Sequence, residues 1–290
     1  MIYIEVSDRS GVKVKQSAMK MFVLRFLTSF IALFLLIGVG VFSYQMVMHF
    51  WEVPIETPIR SEIKEQEKEV ITPVRLDDIS KNLIYCIDDE TGEIIKMTLE
   101  IYRCSEKKAY YITIPIRTQF TMSNSLYRRL VVISPAIPQV VKLSNITKYF
   151  NIETAYEYGC LWIEDLLKID ISFYTAIPEP LYQTMFTSST SLNIEEQPLI
   201  PIEIFTESYM EYLKSLQTEE ALGEYIEETY PKIQSNLSLY QKMFYLESYS
   251  GIHVSDITFE LIEGMDKNSA YIIDDMKAKL QIAAYIAAEK

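Results

Sequence analysis

The chain has 290 residues, with 27 Lys and Arg against 40 Asp and Glu, only two His, and a net charge of −13. Its hydrophobic share of 49% is that of a chain that builds a core, while the negative charge opposes binding to nucleic acid and other polyanions at long range. His253 is the sole histidine beyond the first 51 residues, which argues against a zinc site or a His-based catalytic triad.

The first predicted element is a membrane anchor. Residues 26–48 form an uncharged apolar run, long enough as a helix at about 1.5 Å per residue to span the ~30 Å hydrocarbon core of a bilayer. Arg9, Lys13, Lys15, Lys20 and Arg25 precede it against only Glu5 and Asp8, which places residues 1–25 in the cytoplasm and the remainder outside the cell membrane. Trp51 and Phe50 follow at the expected outer headgroup level. A cleaved signal peptide would carry a shorter apolar stretch and an Ala-x-Ala-like site. The first 51 residues hold five basic and two acidic side chains, so 22 basic and 38 acidic remain beyond them, a charge of −16.

Residues 49–80 read as an extracytoplasmic stalk, with Pro54, Pro58 and Pro73 around a charged stretch that has little to bury. From residue 81 onward the pattern is that of one α/β domain, a mixed central sheet flanked by helices. Residues 83–87, 94–103 and 109–116 alternate as strands, joined by turns at 88–93 and 104–108, and give two hairpins. Asp88, Asp89 and Glu90 resemble a carboxylate cluster, but Asp-Asp-Glu-Thr-Gly is first of all turn chemistry. Residues 117–150 lack a clear period and read as loop with a strand or helical turn. A helix from Thr154 carries Ala155, Tyr158, Leu161, Trp162, Leu166 and Leu167 at helical spacing and leads into a strand at 171–177.

Further along, helices are expected over 207–216, 219–230 and 231–249, the last with Pro231 in its first turn. A strand and turn follow over 253–264, and an amphipathic helix beginning near Asn268 closes the chain. Cys86 and Cys104 fall on neighbouring predicted strands and could pair, with Cys160 left over; all three also suit the role of small apolar fillers.

Three stretches together resemble the LytR-CpsA-Psr family of membrane-anchored bacterial proteins. Residues 107–118 (KKAYYITIPIRT) are similar to the family strand that closes in Ser-Ile-Pro-Arg-Asp-Thr. Residues 151–159 (NIETAYEYG) look like its Lys-Ile-Asn-Ala-Ala-Tyr-x-Tyr-Gly, and 162–177 (WIEDLLKIDISFYTAI) like the helix and strand that follow. The likeness covers roughly residues 82 to 187. It implies transfer of a glycopolymer from a polyprenyl pyrophosphate carrier to peptidoglycan, a reaction that needs cations on the pyrophosphate and, in the active form, magnesium.

The family's residues for that reaction are largely replaced. Where its Arg-Ser-Asp-Thr motif would fall, the chain reads Glu93-Ile94-Ile95-Lys96; Ile116 holds the arginine position after Ile-Pro, with Arg117 one place further, and Glu153 replaces the asparagine. On a strand a displacement of one residue turns a side chain to the other face. No arginine follows Arg129, and lysine lacks the planar fork that grips phosphate oxygens.

The remaining candidate ligand contacts are Arg117, the adjacent pair Arg128 and Arg129, and Tyr156 and Tyr158 beside Trp162. The arginine pair is also what a solvated surface presents, and the tyrosines what a helix buries in a core. The expectation is therefore a tethered extracytoplasmic protein of this type without catalytic residues or a cofactor, binding or scaffolding in cell-envelope assembly, with a polyprenyl-linked glycan or an envelope protein as partner. Two alternatives stand beside it: an active transferase whose site is rebuilt from Arg117, Arg128 and lysines, and an unrelated tethered receptor or assembly factor sharing only the α/β layout.

Overall fold

The computed structural model describes residues 71–189 and 200–287. The expected cytoplasmic tail, the anchor at 26–48 and the stalk as far as residue 70 lie outside them. No helix among the described residues is long and apolar enough to cross a membrane.

The strands are β1 (Ile79–Ile87), β2 (Ile94–Arg103), β3 (Lys108–Thr113), β4 (Gln119–Thr121), β5 (Val140–Lys142), β6 (Phe173–Pro178), β7 (Phe186–Ser189), β8 (Ile202–Phe205), β9 (Gln234–Ser235), β10 (Ile257–Leu261), β11 (Gly264–Lys267) and β12 (Ala270–Ile273). The helices are α1 (Asn124–Ile133), α2 (Ile146–Tyr149), α3 (Ile152–Leu167), α4 (Glu179–Met185), α5 (Glu207–Ser215), α6 (Glu219–Thr229), α7 (Leu239–Met243), α8 (Leu246–Tyr249) and α9 (Asp275–Ile286).

Six strands form a mixed sheet in the order β10-β3-β2-β1-β6-β9. β1, β2 and β3 run antiparallel as the two expected hairpins, whereas β6 joins β1 and β10 joins β3 in parallel. A parallel neighbour needs a crossover that covers a face, and both faces are covered: β1 and β2 are buried along most of their length.

On one face, Leu83, Tyr85, Met97, Leu99, Ile101 and Ile112 meet Trp162 and Ile163 of α3 and Ala278 and Ile282 of α9. On the other, Ile84, Cys86, Tyr102, Tyr111 and Ile177 meet Tyr182 of α4, Phe186 and Phe205 of the β7–β8 hairpin, and Tyr209 and Leu213 of α5. The chain enters along α3, where the Ile71 N–H donates to Glu157 Oε2 (3.3 Å) and the Thr72 hydroxyl to the Glu157 carbonyl (3.1 Å). Residues 71–80 thus already touch the domain, and Ile79 and Ser80 open β1.

Four segments depart from the sequence pattern for local reasons. Residues 124–133 form α1 instead of loop, because Ser123 caps the helix by accepting from the Leu126 N–H. The helix expected over 231–249 is broken: Asn236 accepts from the Tyr174 N–H and Ser235 donates to the Tyr174 carbonyl, drawing β9 onto the sheet edge. Helix then resumes at α7 behind a Ser238–Gln241 capping box. The closing helix starts at Asp275, not near Asn268, because Asn268 and Ser269 adopt φ of 52° and 63° and turn the β11–β12 hairpin. Asp274 caps α9 by accepting from the N–H groups of Met276 and Lys277. The pattern also leaves α4 and the β7–β8 pair unannounced, since Ile-Pro-Glu-Pro at 177–180 reads as a strand running out, while Pro180 sits in the first turn of α4.

Candidate functional site

The sheet face under α4–α8 encloses a partly open cavity of about 180 Å3. Its walls are aromatic and aliphatic, with Phe173 and Ile177 of β6, Phe186, Phe205, Tyr209 and Tyr225 prominent, and among the described residues its only charged lining residues are Glu100 and Lys242. A cavity of roughly this size has room for a small hydrocarbon against its apolar walls.

The polar floor follows from strand register. Phe173 lies opposite Asn82, Asn82 opposite Glu100, and Glu100 opposite Tyr111, so one row crosses four strands. Glu100 is 5% exposed, and a carboxylate so placed must be hydrogen-bonded. Its Oε2 accepts from Asn82 Nδ2 (2.9 Å) and its Oε1 from the Tyr111 hydroxyl (2.7 Å), while Asn82 Oδ1 accepts from the Thr175 hydroxyl (3.0 Å).

Facing this row, Lys242 of α7 lays its ammonium over the rings of Tyr249 (4.4 Å) and Phe173 (5.7 Å). The ammonium makes no hydrogen bond or ion pair among the described residues, and burial pulls its pKa down against an opposing pull from Glu100. The Tyr249 hydroxyl beside it is buried without a hydrogen-bond partner.

The other end of the same face carries Lys96 of β2. Lys96 donates to Glu203 Oε2 and to the Ser188 hydroxyl, both at 2.9 Å, and Ser188 donates to Glu203 Oε1 (2.7 Å). Glu203 is 3% exposed, while Lys96 keeps 32% of its side chain exposed and spends two of its three N–H donors on this cluster. Glu203 and Ser188 close the cluster from the β7–β8 pair, which sequence reasoning missed; the alternation Ile-Glu-Ile-Phe at 202–205 was the available signal.

The structure distributes the expected ligand residues instead of gathering them. Arg117 grips Asp266 of the β11–β12 hairpin through Nε (2.8 Å) and Nη2 (2.7 Å), and this pair raises its pKa. Arg128 and Arg129 are exposed on α1. Tyr156 is buried in α3 with its hydroxyl donating to the Gly92 carbonyl (3.0 Å), and Tyr158 stacks on Phe150. Two further arginines are committed to carboxylates, Arg75 to Asp170 (2.7 Å) and Arg103 to Glu106. Glu153 is exposed in the first turn of α3, where its charge suits the helix N-terminus.

A divalent ion does not fit the residues at the β1–β2 turn. Asp88 Oδ1 accepts from the N–H groups of Glu90 (3.0 Å) and Thr91 (2.7 Å) and from the Thr91 hydroxyl (2.9 Å), and Asp89 Oδ1 accepts from the Glu179 N–H (3.2 Å). These carboxylates hold the turn and the start of α4, and among the described residues no three His, Cys, Asp or Glu side chains gather as for a metal.

The three cysteines are free thiols. Cys86 lies opposite Lys96, at the far end of β2 from Cys104, roughly 25 Å away at strand rise and well beyond disulfide reach. Burial pushes the Cys86 thiol up to about 12. Iodoacetamide at pH 8 is therefore expected to spare Cys86 in the native chain and to label it on denaturation, read by peptide mass spectrometry; rapid native labelling would contradict the closed packing of this face.

No protein-family model and no curated protein matches the chain. Among solved structures it is similar to TagV of B. subtilis (TM-score 0.49, 11% identity, over 74% of this chain and 100% of that one). It is also similar to TagT bound to LI-WTA (0.46, 12%, 76% and 96%) and to protein gbs0355 from Streptococcus agalactiae (0.49, 10%, 73% and 89%). Identities this low say nothing about activity.

Proposed function

We propose that this chain is a membrane-tethered, extracytoplasmic protein of LytR-CpsA-Psr type that has no transferase chemistry and serves cell-envelope assembly by holding an apolar lipid chain. The observation that carries this reading is the cavity itself, an apolar space between sheet and helices whose lining contains no arginine. A pyrophosphate needs several convergent cations. Here Lys96 is engaged by Glu203, Arg117 by Asp266, and Arg128 and Arg129 point from a separate helix. Support for the family comes from the three sequence stretches named above, which fall on β3, α3 and β6 in order. Support for the tether is the uncharged run at 26–48 with its basic flank.

The test is binding of a polyprenyl pyrophosphate analogue to the full chain in detergent, with and without magnesium, beside Arg117→Ala. The account expects binding carried by the polyprenyl tail, unchanged by magnesium and by Arg117→Ala. Magnesium-dependent binding that Arg117→Ala abolishes would overturn it in favour of an active transferase.

A further inference from the structure

We propose that the cavity selects a neutral, hydroxyl-headed lipid, an isoprenoid or fatty alcohol, whose hydroxyl donates to the Glu100 carboxylate and accepts from the Lys242 ammonium. The inference rests on the preceding reading that the cavity holds an apolar chain, and it names the chemistry of the head.

The argument is one of charge and hydrogen-bond bookkeeping at the floor. Glu100 and Lys242 both line the cavity, yet they form no ion pair within 4.0 Å, so a gap separates one negative and one positive group. Glu100 already accepts from Asn82 and Tyr111, which fixes it in place and leaves lone pairs to spare. Lys242 has three N–H donors and only aromatic faces beneath it among the described residues. A hydroxyl is the smallest group that gives one hydrogen bond and takes one, and it bridges the two without adding charge.

A carboxylate or pyrophosphate head would bring extra negative charge next to a buried Glu100, with a single lysine to offset it. The cavity of about 180 Å3 takes the head and the first carbons of a tail, and its partly open side leaves room for the rest. This polar end lies by Phe173 and Lys242, away from the Lys96 end of the sheet face, where the family's first motif would place a phosphate.

Equilibrium binding of radiolabelled farnesol, farnesyl pyrophosphate and farnesoic acid to the full chain in detergent tests this. Farnesol is expected to bind at least about tenfold more tightly than either anion, and Lys242→Met, which keeps the stem, to weaken farnesol by about tenfold, the usual worth of a hydrogen bond to a charged group. Glu100→Gln is expected to weaken farnesol and to narrow its advantage over the anions, with circular dichroism reporting that the variants fold. Equal or tighter binding of the pyrophosphate, or farnesol affinity unmoved by Lys242→Met, overturns the assignment while leaving an apolar-chain binder in place. No binding of any of the three by the folded chain overturns both readings.

Discussion

Trp162→Ala is expected to destabilise the domain by about 3–5 kcal/mol, the range for removing a large aromatic from a packed core. Trp162 is fully buried on α3, in edge contact with Phe120 (ring centroids 5.9 Å) and Phe150 (6.0 Å) and tilted against Tyr149 (6.5 Å). It joins the β4–β5 layer to the helix that covers the sheet, so its loss leaves a void lined by three rigid rings that cannot collapse into it. Its indole N–H has no hydrogen-bond partner. Trp162→Phe therefore forfeits packing only, and is expected to cost less than half as much. Urea unfolding of the full chain in detergent measures both, and equal costs would contradict the reading that ring packing sets the contribution of Trp162.

Gly159→Ala is the second large effect, and its sign runs against helix propensity. In an exposed helix interior this change gains about 1 kcal/mol. At Gly159 an added Cβ would lie 2.3 Å from the Tyr85 hydroxyl oxygen and 3.2 Å from the ring carbon that bears it. Tyr85 is fully buried on β1 and donates to the Tyr156 carbonyl (2.9 Å), so it has no room to withdraw. Overpacking of this kind costs about 1–3 kcal/mol. The Tyr85→Phe change removes the clashing oxygen, so the double variant is expected to recover part of the loss of Gly159→Ala. Additive losses in the double variant would place the cost in the backbone and not in this contact.

The same glycine shows how the sequence specifies the layout. A glycine in the middle of an apolar helix is unfavourable alone, and becomes consistent once α3 packs against Tyr85 of β1. The hairpins, α3 and β6 were legible because their periods are long and their turns marked by Asp88, Gly92 and Lys107, the last two at positive φ. The C-terminal region was less so. Residues 231–249 have a helical apolar period, but Ser235 and Asn236 bond to Tyr174, a tertiary contact that no local pattern encodes. Asn268-Ser269 was misread as a helix start because both residues also cap helices.

For the site, the sequence shows how few arginines the chain has and places Arg117 just past the end of β3, but not what it bonds to. Its actual partner, Asp266, lies 149 residues further on and carried no signal. The floor of the cavity had one: Thr98 and Glu100 interrupt the apolar face of a strand that is buried on both sides, and a carboxylate there requires partners. Lys242 gave none, because its neighbourhood of Tyr249 and Phe173 exists only after the helices fold back over the sheet.

The account's central claim is that the space under α4–α8 holds an apolar chain, and filling that space tests it most directly. Ile226 of α6 lines the cavity at 7% exposure, and Ile226→Trp places an indole where a tail would lie. Native mass spectrometry of the full chain released from detergent after incubation with farnesol should show a single bound molecule on the parent chain and none on Ile226→Trp. Equal occupancy of the two chains would contradict the account and place the lipid elsewhere.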